Sequence, residues 1–253
     1  MTGFGLMLRK EVREQVRTMR LVVVVAVFAI FGLLSPVVAR YTREIVEAVG
    51  GGQFGGMIPE PTVADAVIQF TKNVGQFGVV IAILVTMGAV ATEKERGTAA
   101  FLLTKPIGRG AFVAAKVVAI GALLALALAA AGALCWIYTT ILFEPLPVSA
   151  FAGAVALLWL SLAVFAALTF LASVATRSAL VAGGAAFGLF LVVGILSALP
   201  GIGPYLPTSL WGAADALALG TVPDPLLGPV LANIALIAVV LGLAWWGFRR
   251  QEL

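Results

Sequence analysis

Residues 93–116 read EKERGTAAFLLTKPIGRGAFVAAK, a charged stretch wedged between two long apolar runs. It holds five of the chain's sixteen basic residues (Lys94, Arg96, Lys105, Arg109 and Lys116) beside Glu93 and Glu95. Where this cluster sits decides how many times the chain crosses a membrane. The run before it, VGQFGVVIAILVTMGAVA at 75–92, is only just long enough to span. Counted as a span, it leaves the cluster in water on one side. Left out, it gives five spans and strands the cluster with no acceptable side.

The rest of the chain agrees with a membrane setting. Of 253 residues, 62% are hydrophobic and 11% charged, with mean hydropathy +1.11. Soluble domains carry about a quarter charged residues, so a soluble fold would lack polar side chains to cover its surface. A bilayer core about 30 Å thick needs roughly 20 apolar residues as helix. Six runs qualify: 21–39, 75–92, 113–142, 150–173, 179–199 and 226–248. The first, LVVVVAVFAIFGLLSPVVA, is β-branched, yet a lone strand in lipid leaves its backbone unpaired, so helix is expected. The expected fold is an all-α integral membrane protein with one transmembrane domain over 1–253.

Six spans place both termini on one side. Thirteen basic residues then fall on the termini and even-numbered connections, against only Arg40, Arg43 and Lys72 on the other side. The positive-inside bias predicts cytoplasmic termini. Trp245, Trp246 and Phe248 before Arg249–Arg250 make an interfacial belt at the last exit. The start, MTGFGLMLRKEVREQVRTMR, carries charges where a signal peptide needs an apolar core, so the mature chain is read as beginning at or near Met1. Within 1–20, Phe4, Leu8, Val12, Val16 and Met19 recur at helical spacing opposite Arg9, Lys10, Glu11, Arg13, Glu14, Arg17 and Arg20. That pattern predicts an amphipathic helix in the cytoplasmic interface, and plain juxtamembrane anchoring would account for it. The outer segment 40–74 predicts short helices at Tyr41–Val49 and Thr62–Val74 around the turn-rich GGGQFGGMIPEP. The second outer segment, 200–225, predicts short helices resting on or dipping into the outer leaflet.

Much chemistry is excluded. The absence of histidine removes histidine metal sites, the commonest general base and most nucleophilic triads. Cys135 is the single cysteine, so no intrachain disulfide is possible. No ionisable residue falls near a span centre, which argues against proton relays, ion-coupled antiport and voltage sensing. HExxH, paired intramembrane aspartates and the GxxxxGK[ST] phosphate loop are all missing, so no catalytic residue is assigned and ATP cannot bind by that route. Metal and nucleic-acid partners are not expected; membrane lipid is. Ser35, Thr86, Thr139, Thr140, Ser161, Thr169, Ser173 and Ser197 are the polar groups of the spans, expected mostly to bond to their own helix or a neighbour. Gly184-xxx-Gly188 supports close packing without locating an interface.

Residues 93–104 predict a short helix along the membrane surface, stopped by Pro106, which disfavours helix at Lys105. Phe101, Leu102 and Leu103 give it an apolar side; Glu93, Glu95 and Arg96 give it a polar one. A basic loop held by anionic headgroups explains the cations but neither the glutamates nor the apolar triplet. A protein-docking element explains all three.

Lys10-Glu11 in an interfacial helix, Glu95-x-Gly97-Thr98, Leu102-Leu103-x-Lys105-Pro106-Ile107-x-Arg109 and Lys116 opening the next span together resemble the type-2 ATP-binding-cassette (ABC-2) permease family. The six-span layout and the ending Phe248-Arg249-Arg250-Gln251-Glu252-Leu253 are similar too. The resemblance implies a permease homodimer in the plasma membrane docking two copies of an ABC ATPase, with ATP and Mg bound by that partner and no cofactor in this chain. It implies a coupling loop at 93–112, whose helix at 93–104 seats in the ATPase beside the N-terminal helix. Glu93, Glu95, Arg96, Gly97 and Thr98 would then meet the ATPase, Phe101–Leu103 would anchor, and Lys105, Pro106, Arg109, Lys10 and Glu11 would support the loop at the interface. ATPase closure would tilt the spans and move substrate outward.

The KPIGR wording and the longer first outer loop are similar to the permease that serves nitrous-oxide-reductase copper maturation. Without His, a Cys pair or a Met-rich interior, a copper path is poorly supported, and an amphipathic or hydrophobic substrate is favoured. The rival is a non-transporting scaffold that recruits a cytosolic partner through 93–116. A lipid-modifying enzyme is weaker still, for want of histidine and clustered acids.

Overall fold

The computed structural model describes residues 3–49, 59–98 and 108–251. Every regular element among them is helical, and six helices are long and apolar enough to cross a membrane. An interfacial helix α1 (Gly3–Arg17) leads through a turn into α2 (Arg20–Val49). The second span is composite: α3 (Val63–Asn73), a π-helical turn (Val74–Gly78), α4 (Val79–Thr86), a turn at 87–90, then α5 (Ala91–Glu95). The remaining elements are α6 (Arg109–Leu142), α7 (Val148–Ala175), α8 (Ala179–Leu196), a 3₁₀ turn (Gly203–Tyr205), α9 (Ser209–Ala218) and α10 (Leu227–Arg250).

α7 is the most buried span and packs against α4, α6, α8, α9 and α10. α2 lies against α6 in the most extensive helix pairing of the fold. α8 and α10 turn most of their surface outward, as apolar helices do when lipid is the solvent. The first predicted outer helix, Tyr41–Val49, is the uninterrupted end of α2. The second, Thr62–Val74, is the start of the second span, opened by the Asp65 carboxylate accepting the Thr62 N–H (2.8 Å) and hydroxyl (2.7 Å). Residues 50–58, between them, lie outside the described residues.

The breaks in the second span have local causes. Gly75, in the π turn, lies under the Trp211 ring, where a Cβ would come within 2.8 Å. Trp211 comes from α9, whose Leu210, Ala214 and Ala218 are buried, and its Nε1–H donates to Ser161 Oγ of α7 (2.9 Å). The second outer segment therefore seats a helix into the bundle. At the other break, Ser173 Oγ of α7 accepts from the N–H groups of Val90 (3.1 Å) and Ala91 (3.0 Å), which satisfies donors that the interrupted helix would orphan. The remaining span hydroxyls behave as expected: Ser35, Thr140, Thr169 and Ser197 bond to carbonyls of their own helices. Thr86 does not.

Candidate functional site

One end of the bundle gathers most of the basic residues. α1 crosses the start of α6, with Met7 and Gln15 buried and Glu11 half-buried between them on the same face. Gln15 Nε2 donates to the Ala119 carbonyl of α6 (3.1 Å). Polar Glu11 and Gln15 face the protein, whereas Phe4, Val12, Val16 and Met19 are exposed. An apolar stripe turned away from the bundle suits a helix whose outer side meets lipid.

Beneath α1 lies a compact ion-pair cluster. Lys116 is 3% exposed, and its Nζ donates to Glu11 Oε1 (3.0 Å) and Glu93 Oε1 (2.9 Å). Lys10 Nζ reaches the same two oxygens at 3.0 and 2.8 Å, and Glu14 Oε2 at 3.1 Å. Two ammonium groups and three carboxylates thus join the interfacial helix, α5 and α6. Burial alone would lower the Lys10 pKa, but the hydrogen bond and charge of Glu93, with Glu11, outweigh it and raise it. Burial likewise favours a neutral Glu14, yet Lys10 holds its carboxyl below the usual range. Ligand oxygens of Glu11, Glu14 and Glu93 lie within 4.8 Å of one another. The two lysines fill the role a cation would have there, through Glu11 Oε1 and Glu93 Oε1, while Glu93 Oε2 has no hydrogen-bond partner among the described residues.

The predicted docking residues divide. Glu93 points inward into this cluster. Glu95, Arg96, Gly97 and Thr98 are exposed at the surface. A single helix over 93–104 is not what forms, because α5 ends at Glu95 and Gly97 takes φ +69°. That left-handed geometry suits glycine and turns the chain away from the α5 axis. Phe101, Leu102, Leu103, Lys105 and Pro106 lie outside the described residues. Arg109 opens α6 and donates through Nη1 to the Arg249 carbonyl and to that of Gln251 (3.2 Å), tying α6 to the chain's end. Lys94 and Gln251 both donate to the Val174 carbonyl at the end of α7. Trp245 and Trp246 are exposed as an interfacial belt requires, but Phe248 is fully buried, stacked on Phe112 at 5.1 Å.

Gln15 was not anticipated; Gln251 was named only as part of the chain's ending, and Ser173 only as a span hydroxyl expected to bond to its own helix or a neighbour, as it does to Val90 and Ala91. Met7, Glu11 and Gln15 recur every four residues, which was the available signal for a second packed stripe on α1. Ser173 and Gln251 carry no such pattern.

Comparison with known proteins gives this arrangement a family. A family model described as "ABC-2 family transporter protein" matches residues 6–207, a stretch that includes the whole ion-pair cluster. The chain is also similar to the uncharacterized transmembrane protein YxlG of Bacillus subtilis (strain 168), with 26% identity over 253 residues and 97% of each chain covered. The chain therefore belongs to the ABC-2 family of transporter proteins, membrane subunits that work with a partner ABC ATPase.

Proposed function

We propose that this chain is the permease half of an ABC exporter in the plasma membrane, with the charged end of the bundle in the cytoplasm. It pairs with a second copy and takes up two copies of an ATPase subunit, which bind ATP and Mg. The observation that carries the reading is the Lys116–Glu93–Lys10–Glu11 cluster. Glu93 sits two residues before the exposed Glu95–Arg96 edge and is ion-paired to both α1 and α6. A force applied by an ATPase at that edge passes through a buried, hydrogen-bonded network into a spanning helix, rather than into a free loop. In this reading Glu95, Arg96 and Thr98, exposed beside α5, would meet the ATPase. Outward Gly184 and Gly188 on α8, beside exposed Leu180, Phe187 and Leu191, favour that helix as a face for the second copy.

Charge reversal at the edge tests the docking step. Glu95→Lys with Arg96→Glu is expected to cut recovery of the ATPase subunit at least tenfold in a mild-detergent pull-down, while membrane insertion and elution volume stay unchanged. Full recovery would sink the docking assignment. ATP turnover in liposomes separates the rival: a permease changes its partner's turnover, whereas a scaffold binds the partner and leaves turnover as it was.

A further inference from the structure

Two adjacent cavities in the bundle have complementary chemistry. The first is an apolar space of about 420 Å³ among α6, α7 and α10, inside the range of about 300–1,000 Å³ usual for ligand pockets. Val118, Ala122 and Ala125 form its rim and are exposed along one face of α6, so the space opens toward lipid. Its floor is buried Ala166, Ala167 and Phe170 of α7. At about 1.5 Å per residue, Trp159 lies roughly 16 Å further from the charged end than Phe170. One leaflet of hydrocarbon is about 15 Å, half of the 30 Å core. The cavity therefore runs about the depth of a single leaflet.

The second cavity is a polar cleft of about 560 Å³ at the charged end. Ile120 lines both and is the partition between them. The cleft contains the ion-pair cluster together with Arg20 and Arg96, neither of which makes an ion pair among the described residues. On the apolar side, Thr86 is 1% exposed, and its Oγ1 has no hydrogen-bond partner among the described residues. A helical threonine ordinarily bonds to the carbonyl four residues back, as Thr140 and Thr169 do here. A buried hydroxyl left unmatched is costly and calls for a partner.

We propose that the paired cavities bind one molecule of an anionic glycerophospholipid from the leaflet at the charged end. One acyl chain lies along α6 and α7 in the apolar space. Its ester carbonyl accepts the Thr86 hydroxyl, and its phosphate enters the polar cleft toward Arg20 and Arg96. A simple apolar groove would need neither the unmatched hydroxyl nor two guanidinium groups without an ion-pair partner among the described residues; an amphiphile uses both. The inference concerns occupancy and holds independently of the permease reading.

Photolabelling tests it on the full chain in phosphatidylcholine vesicles. The probe is phosphatidylglycerol carrying a mid-chain diazirine, with the matching phosphatidylcholine probe as comparison. Saturable labelling of peptides within 117–125 and 159–170 is expected, at least fivefold stronger for phosphatidylglycerol. Ala122→Phe narrows the rim at an exposed position, so folding should be unaffected, and labelling should fall about tenfold. Thr86→Val should lower it several-fold, and Arg20→Gln with Arg96→Gln should erase the headgroup preference. Unsaturable labelling of every outward helix, unchanged by Ala122→Phe, would overturn the site. So would equal labelling by the two probes, or disulfide formation between two copies of an Ala122→Cys variant, which would place a second chain over the rim. ATPase recovery tested by Glu95→Lys alone, which leaves Arg96 in place, remains a separate readout from each of these outcomes.

Discussion

Lys116→Met is expected to release α1 from the bundle and to uncouple the chain from its ATPase. Methionine keeps most of the lysine stem, including its packing beside Phe112, so the change removes charge more than volume. Two carboxylates, Glu11 and Glu93, are only 12% and 14% exposed and lose their buried cation together. Lys10 remains, but it comes from α1 itself and is 36% exposed, so it cannot hold α1 to α6. Breaking a buried pair from one side costs about 3–5 kcal/mol, chiefly through the charge left behind. The expected readouts are a lowered melting temperature, new proteolysis between α1 and α2 around Thr18–Arg20, and loss of partner-stimulated ATP turnover. Lys116→Met combined with Glu93→Gln should recover part of the stability, because the second change removes an uncompensated charge. Unaltered melting and proteolysis in the single variant would show that the cluster holds nothing together.

The same cluster gives a pH dependence. The Glu14 carboxyl, held low by Lys10, contributes above the ordinary glutamate range and is lost as pH falls through its depressed value. The raised Lys10 ammonium contributes at neutral pH and is lost only as pH rises past the ordinary lysine range. Attachment of α1, followed by protease protection of residues 3–17, should therefore be fullest around neutrality and fall at either extreme. Protection that rises steadily toward acid would contradict both signs.

The six spans were legible because hydrophobic length is a property of each segment alone. The N-terminal helix was legible for the same reason, since its periodicity lies within some fifteen residues. What could not be read was which way that helix faces. Lys116 and Glu11 meet across 105 positions, and Lys10 and Glu93 across 83, so nothing local distinguishes a carboxylate facing water from one facing a buried lysine. Glu93 was assigned to the docking surface with Glu95 on that account, and the structure separates them. The breaks in the second span were hidden similarly. Glycines at 75 and 78 are visible in the sequence, but the indole that needs the space arrives from residue 211. Gly97 was read as part of one helix over 93–104, and its left-handed φ shows that the helix ends at Glu95 instead.

Gly32→Leu is expected to abolish accumulation of folded protein in the membrane. At Gly32, α2 meets α6 backbone to backbone. A Cβ there would lie 2.2 Å from the Ala131 carbonyl oxygen and 2.8 Å from its C and Cα atoms. No side chain can swing aside to make room, so α6 itself would have to move, and with it the Lys116 end of the ion-pair cluster. Overpacking a tight core costs about 1–3 kcal/mol where side chains can adjust; here the obstacle is main chain, and even Gly32→Ala should lower stability measurably. Pro36, one turn on, already deprives the Gly32 carbonyl of its helical donor, so α2 is poorly placed to absorb the strain. Gly184→Leu is the matched control: no atom lies within 4 Å of where its Cβ would stand, it faces outward on α8, and the variant should fold normally. If α8 is the face for a second copy, Gly184→Leu should instead lower the dimer fraction in gel filtration. Normal expression and melting of Gly32→Leu would mean that α2 and α6 do not cross at this pair.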